Sequence, residues 1–156
     1  MLIRNATPAD ATGIAVAHRA SIESLCSGSY SAEQIAGWVT NLVPDIYESA
    51  IREKVMIVAE DEGDIVGLGI LDVDRREIGA VYVHPTVKGR GVGARVLAEL
   101  EARAAASQVE QLTLCATVNA LGFYRRHGYV PDGETSHELP NGVTLECVRM
   151  HKALSC

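Results

Sequence analysis

A chain of 156 residues, 47% apolar and 22% charged, has the size of one ordinary domain with a single core, so one domain over residues 1–156 is expected. With 14 Lys and Arg against 20 Asp and Glu the net charge is −6, which excludes a sequence-independent nucleic-acid surface, since that needs clustered cations in excess. The four cysteines, Cys26, Cys115, Cys147 and Cys156, form no Cys-x-x-Cys pair and no His stands at zinc spacing, so reduced, mostly buried thiols and no metal are expected.

Residues 1–5 lack a basic segment followed by an apolar one, and no apolar run reaches about 18 residues. A cytoplasmic protein with no membrane partner is the expectation. Residues 2–6 read as a first strand, after which Thr7 is placed to cap a helix with Pro8 at its first position. Ile14, His18, Ile22 and Leu25 share one face of that helix, which turns His18 toward apolar neighbours, held by a backbone carbonyl. Residues 26–30 form a loop, and Ser31-Ala32-Glu33-Gln34 is a second capping pattern before a helix bearing Ile35, Trp38, Val39 and Leu42 on one side. Pro44 interrupts it. A third helix over residues 45–54 follows, with Ile46, Ala50 and Ile51 at helical spacing and a Glu48–Arg52 pair.

From Val55 the pattern changes to strands: residues 55–59, a turn at 61–64, residues 65–71, a turn near 74–76, and residues 77–83. Gly67, Gly69 and Gly79 inside these runs imply close approach of a backbone or a ligand. Beyond the loop 84–91, Val92, Val96, Leu97, Leu100 and Ala104 mark a long helix ending near Ser107, and residues 111–116 a strand. Residues 118–127 read as a short helix that Gly128 stops. Residues 129–130 and 143–150 are closing strands, separated by turns at Pro131-Asp132-Gly133 and Pro140-Asn141-Gly142.

The segment Lys88-Gly89-Arg90-Gly91-Val92-Gly93-Ala94 carries the first functional signal. Three glycines let the backbone wrap an anion, the new helix aims its first-turn N–H groups and positive dipole end at the same place, and Lys88 and Arg90 add charge. Its letters also fit G-x-G-x-x-A, the dinucleotide fingerprint. Five residues separate Val83 from Gly89, however, and the next strand, residues 112–116, has no carboxylate for a ribose. A Gly-Lys-Ser/Thr is absent too, so a P-loop is excluded. The diphosphate of coenzyme A suits the loop better, with its pantetheine arm along the strand that ends at Val83.

These residues resemble the cofactor motif of the GNAT superfamily of acyl-CoA-dependent N-acetyltransferases, with Lys88 in place of the usual Arg or Gln. A second stretch, Asn119-Ala120-Leu121-Gly122-Phe123-Tyr124-Arg125-Arg126-His127-Gly128-Tyr129, is similar to that family's Asn, Phe-Tyr and Gly-aromatic pattern. The resemblance implies an α/β (α+β) acyl-CoA N-acyltransferase fold: a mixed, largely antiparallel sheet of about seven strands with helices on both faces. It implies acetyl-CoA as co-substrate, a small-molecule or peptide amine as acceptor, and direct transfer in a ternary complex. A non-catalytic acyl-CoA-binding module of the same fold is the alternative. The implied catalytic pair is Glu77 as general base and Tyr124 as the acid that protonates the leaving thiolate. Cofactor contacts are expected from Val81, Tyr82, Val83, Lys88, Gly89, Arg90, Gly91, Val92, Gly93, Ala94, Asn119, Phe123 and Tyr124. Backbone N–H groups of residues 81–83 would polarise the carbonyl if their strand splays from the next one. His18, Tyr30, Trp38 and Glu77, with Cys26 nearby, are expected to line the acceptor site. His84 is expected to turn outward before Pro85, and a homodimer is the general prior for such a chain.

Overall fold

The structure is a computed structural model that describes residues 1–154, so Cys156 lies outside the described residues. Seven strands form one sheet in the order β1-β2-β3-β4-β5-β7-β6. They are β1 (Leu2–Asn5), β2 (Val55–Asp61), β3 (Asp64–Asp72), β4 (Glu77–Val83), β5 (Gln111–Thr117), β6 (Val130–Glu138) and β7 (Thr144–Ala153). All neighbours are antiparallel except β4 and β5. The helices are α1 (Ala11–Leu25), α2 (Ala32–Val39), α3 (Asp45–Glu53), α4 (Val92–Ala106) and α5 (Leu121–Arg126).

Alternation along the strands divides the core in two. Ile57, Leu71, Leu112 and Leu114 face Val96, Leu97 and Leu100 of α4, whereas Met56, Val58 and Leu68 face Ile14, Ala17 and Tyr47 of α1 and α3. Gly67 and Gly69 are where α4 comes closest: a Cβ on Gly69 would lie 2.7 Å from Val96 Cγ1 and 2.9 Å from Leu100 Cδ1. The close approach expected at these glycines is therefore that of a helix rather than a ligand.

The second capping pattern forms as expected, with Ser31 Oγ accepting from the Gln34 N–H (3.1 Å) and Gln34 Oε1 accepting from the Ser31 N–H (2.9 Å). At the first helix the cap runs the other way. Thr7 precedes a short 3₁₀ turn, Pro8–Asp10, and the Asp10 carboxylate accepts the Thr7 N–H at 2.7 Å while also holding Arg4 at 2.8 Å. Two further expectations need correction. On α3 the buried residue is Tyr47, and Ile46 is 44% exposed. Pro131-Asp132-Gly133 is not a turn but an irregularity inside the nine-residue strand β6, whose register with β7 shifts between Pro131 and Gly133. As an edge strand β6 has no second neighbour to which Pro131 would have to donate a hydrogen bond.

Candidate active site

The parallel pair at the centre of the sheet is a fork. β4 and β5 pair only at Glu77↔Thr113 and Ile78↔Leu114, whereas β4 stays paired to β3 as far as Gly67↔Val83. Gly79 is an extra residue in β4, because Ile70 pairs with Ala80 and Leu71 with Ile78. Such a bulge bends and twists its strand, and beyond it residues 79–83 lose β5. The His84 N–H donates to the Val66 carbonyl (2.8 Å), so the two-residue alternation directs the N–H groups of Tyr82 and Ala80 to β3 and those of Val81 and Val83 into the fork.

The glycine loop lies at the open end. His84 Nδ1 accepts the Thr86 N–H (3.2 Å), which caps the 3₁₀ turn Pro85–Val87. Gly89 and Gly91 have φ of +81° and +77°, and a Cβ on either would meet no atom within 4 Å. The backbone thus takes a shape that favours glycine and leaves open space above it. The Arg95 N–H is bonded to the Gly91 carbonyl (3.1 Å), so the preceding N–H groups of Val92, Gly93 and Ala94 lack helical acceptors at the positive end of a fifteen-residue helix. Lys88 and Arg90 stand in solvent, and among the described residues Arg90 makes only a surface pair with Asp61 at 3.8 Å. This donor set and the uncrowded glycines fit a diphosphate, so the site accommodates coenzyme A chemically.

Two side chains of α5 reach this region. Phe123 packs against Gly93, its Cε1 3.4 Å from where a Gly93 Cβ would be. Tyr124 is buried between the rings of Phe123 and Tyr129 (centroids 5.2 and 5.6 Å). Its hydroxyl makes no hydrogen bond to the described residues, and burial holds its pKa well above the ordinary phenol value. Tyr129 anchors the end of α5, donating to Glu101 Oε2 (2.8 Å), which also receives Lys152 Nζ (3.0 Å).

On the opposite sheet face a chain of aromatic rings covers β4. His18 lies against Tyr82 (4.3 Å) and Tyr47 (6.0 Å), Trp38 meets Tyr82 (6.3 Å) edge-on, and Tyr30 meets Trp38 (5.7 Å). His18 Nδ1 is 2.8 Å from the Tyr47 hydroxyl, so its partner is a phenol and not the expected backbone carbonyl. His18 Nε2 is buried without a partner among the described residues, and burial lowers the imidazole pKa to about 4, which keeps it neutral. The Tyr30 hydroxyl is fully used, donating to the Glu146 carbonyl (2.5 Å) and accepting from the Val118 N–H (3.0 Å). Asn119 lies near the Cys26 thiol, whose pKa burial pushes up to about 11. Cys26, Tyr124, Tyr30 and Tyr47 all lie near enough to the Tyr82 hydroxyl to add to the upward shift that its burial causes.

Glu77 sits at the closed end of the fork. Ile78 packs under α4, so alternation turns Glu77 to the face of Tyr82, and Gly79 keeps Ala80 and Tyr82 on that face as well. The structure thus gathers His18, Trp38, Tyr30 and Tyr82 on one side, Tyr124 and Phe123 beside the fork, and the glycine loop at its mouth. The side chains of Lys88 and Arg90 extend from that loop into solvent. Tyr47 was missed from the sequence, although Tyr47, Ala50 and Ile51 repeat at i, i+3, i+4 and that spacing could have found it. A cleft of about 520 Å³ beside Val118, lined by Glu134, Ser136 and Glu146, is bounded by none of Glu77, Tyr82, Tyr124 or the glycine loop. Among the described residues no cluster of His, Cys, Asp or Glu could hold a metal ion, and no helix is long and apolar enough to cross a membrane.

Comparison with known proteins places the fold in a family. The chain resembles the solved structure of a GCN5-related N-acetyltransferase from Rhodopseudomonas palustris at 32% identity and a TM-score of 0.92, over 98% of this chain and 95% of that one. The PaiA N-acetyltransferase of Thermoplasma acidophilum, solved with coenzyme A, shares the fold at 18% identity and a TM-score of 0.79, over 97% and 98% of the two chains. Among curated proteins, an IAA acetyltransferase of Azospirillum brasilense is 26% identical over 113 residues, 68% of this chain and 74% of that protein. The family model described as an acetyltransferase (GNAT) domain matches residues 26–154, and the chain belongs to that family.

Proposed function

We propose that the protein transfers an acetyl group from acetyl-CoA to a primary amine of a small molecule or peptide, by direct attack of the amine while both substrates are bound. The observation that carries this reading is the fork, whose unpaired β4 edge opens onto the glycine loop and the buried Tyr124 phenol. The coenzyme supplies the activated acyl group as a thioester, with residues 88–94 to hold its diphosphate and Phe123 and Asn119 near its arm. The N–H groups of Val81 and Val83 are free to polarise a carbonyl oxygen in the fork, a contribution of roughly 3 kcal/mol to the transition state. Glu77 takes the proton of the incoming ammonium, directly or through water. Tyr124 stays protonated because of its burial and gives its Oη proton to the departing thiolate. The rings of His18, Trp38 and Tyr82 form the apolar wall of the acceptor site.

The test is release of free thiol from acetyl-CoA across a panel of amines, polyamines, amino acids and peptide N-termini. Glu77→Gln should lower kcat about 10²-fold or more while leaving coenzyme A binding intact. A thermal shift with coenzyme A but no thiol release with any amine would replace this reading with a non-catalytic acyl-CoA-binding module.

A further inference from the structure

Leu112, Leu114 and Ala116 of β5 and Val148 and Met150 of β7 are packed under α4. The intervening residues, Cys115 on β5 and Cys147 and Arg149 on β7, therefore share the opposite face of the sheet. The register pairs Cys115 with Arg149 and Thr117 with Cys147, which makes the two cysteines diagonal neighbours on adjacent antiparallel strands, and the Cys115 thiol lies near enough to Cys147 to perturb it. Cys115 is exposed and Cys147 buried. Arg149 Nη1 donates to Cys115 Sγ at 3.7 Å. Cys115 is also the first residue of β5 beyond its last pair with β4, so it stands where the fork opens.

We propose that Cys115 and Cys147 form an oxidisable thiol pair, with Cys115 the site of attack by a small hydroperoxide and Cys147 the resolving thiol that closes a disulfide between β5 and β7. In the first step the Cys115 sulfur attacks the terminal peroxide oxygen, the O–O bond breaks, and the alcohol or water formed carries away the thiol proton. This leaves a sulfenic acid on Cys115. In the second step the Cys147 sulfur attacks the Cys115 sulfur, the S–O bond breaks, and water leaves with the Cys147 proton. Two thiols are oxidised to one disulfide, and one peroxide is reduced to an alcohol and a water.

The order of events follows from the surroundings. A peroxide in solution reaches the exposed sulfur, whose neighbour is a guanidinium. Burial and the adjacent Cys115 thiol push the Cys147 thiol up to about 11, so it persists as a thiol until the sulfenic sulfur is presented to it. Cys26 is 1% exposed, which withholds it from the first step. The modification is independent of the acetyl-transfer reading, because it requires neither coenzyme nor acceptor.

The experiment uses the full chain carrying Cys156→Ser, reduced, exposed to hydrogen peroxide and alkylated with N-ethylmaleimide. Before peroxide, denatured protein should take three alkyl groups; afterwards it should take one, the intact mass before alkylation should fall by about 2 Da, and peptide mapping should join Cys115 to Cys147. Cys147→Ser should instead accumulate a Cys115 sulfenic acid that dimedone captures, and Cys115→Ser should retain its thiols. Three alkylatable thiols after peroxide, a link containing Cys26, or a link only between chains would each overturn the proposal.

Discussion

Replacing Gly91 by alanine separates ligand binding from backbone strain. Gly91 has φ +77° and no atom within 4 Å of a prospective Cβ, and Gly142, in the β6–β7 turn, has φ +86° and the same empty surroundings. Neither alanine clashes, so each costs only the left-handed penalty of about 1–2 kcal/mol. For a chain of 156 residues that corresponds to a loss of about 2–4 °C in Tm per kcal/mol. The two variants should therefore melt within a few degrees of each other. Their ligand affinities should diverge, because the Gly91 methyl projects above the free N–H groups that open α4, whereas Gly142 is in the distant hairpin. Isothermal calorimetry with coenzyme A should show at least a tenfold weaker Kd for Gly91→Ala, about 1.4 kcal/mol, and no change beyond twofold for Gly142→Ala. Gly91→Glu, which adds a negative charge to the added bulk, should abolish binding. Equal affinities for the two alanine variants would refute the assignment of the loop.

Tyr124→Phe removes a hydroxyl that bonds to nothing among the described residues, so stability should change by less than about 1 kcal/mol while kcat for thiol release falls about 10²-fold with coenzyme A binding retained; an unchanged kcat across pH would remove its role as acid. Gly69→Ala forces a methyl against Val96 and Leu100 at under 3 Å, and chemical denaturation should show a loss of about 1–3 kcal/mol; an unchanged midpoint would mean that α4 moves away without cost. Asp10 is held down to about 2 by its Arg4 and Thr7 hydrogen bonds, against 3.8 when free. The stability it contributes, about 1–2 kcal/mol after allowance for solvent screening, is present above pH 3.8 and is lost as pH falls toward 2. Asp10→Asn should flatten that part of the denaturation profile, and an identical acid profile would show that the pair contributes nothing.

Local chemistry made much of the fold legible. The Ser31–Gln34 box, the apolar stripe Ile14–His18–Ile22 and the hairpin at Gly63 are each settled within a few residues, and each is found where the spacing places it. Long-range pairing was harder to read. Pro131 and Gly133 are turn residues by local preference, and only their place on an unpartnered edge lets them stay in a strand. The sequence of β4 has the same appearance whether or not its outer edge is paired, so the fork was legible only as a condition on the neighbouring strand. Gly79, the residue that bends β4, reads in the sequence as a point of close approach, because a bulge shows only against the partner strand. In the site, the glycine loop was visible because anion binding depends on contiguous backbone, whereas the His18–Tyr47 contact joins two helices 29 residues apart and left no local trace.

The fork also makes the sheet two pieces. β1 to β4 form one ribbon and β5, β7 and β6 another, and between them there are only two rungs, at Glu77 and Ile78. A molecule that lies in the gap replaces the missing rungs and joins the two ribbons along their length. The seam at which the fold is least tied together is thus the seam that a ligand would tie. Amides of Val81, Val83, Cys115 and Thr117, which alternation directs into the gap, should therefore exchange with solvent according to occupancy, slowly when the gap is filled and fast when it is empty.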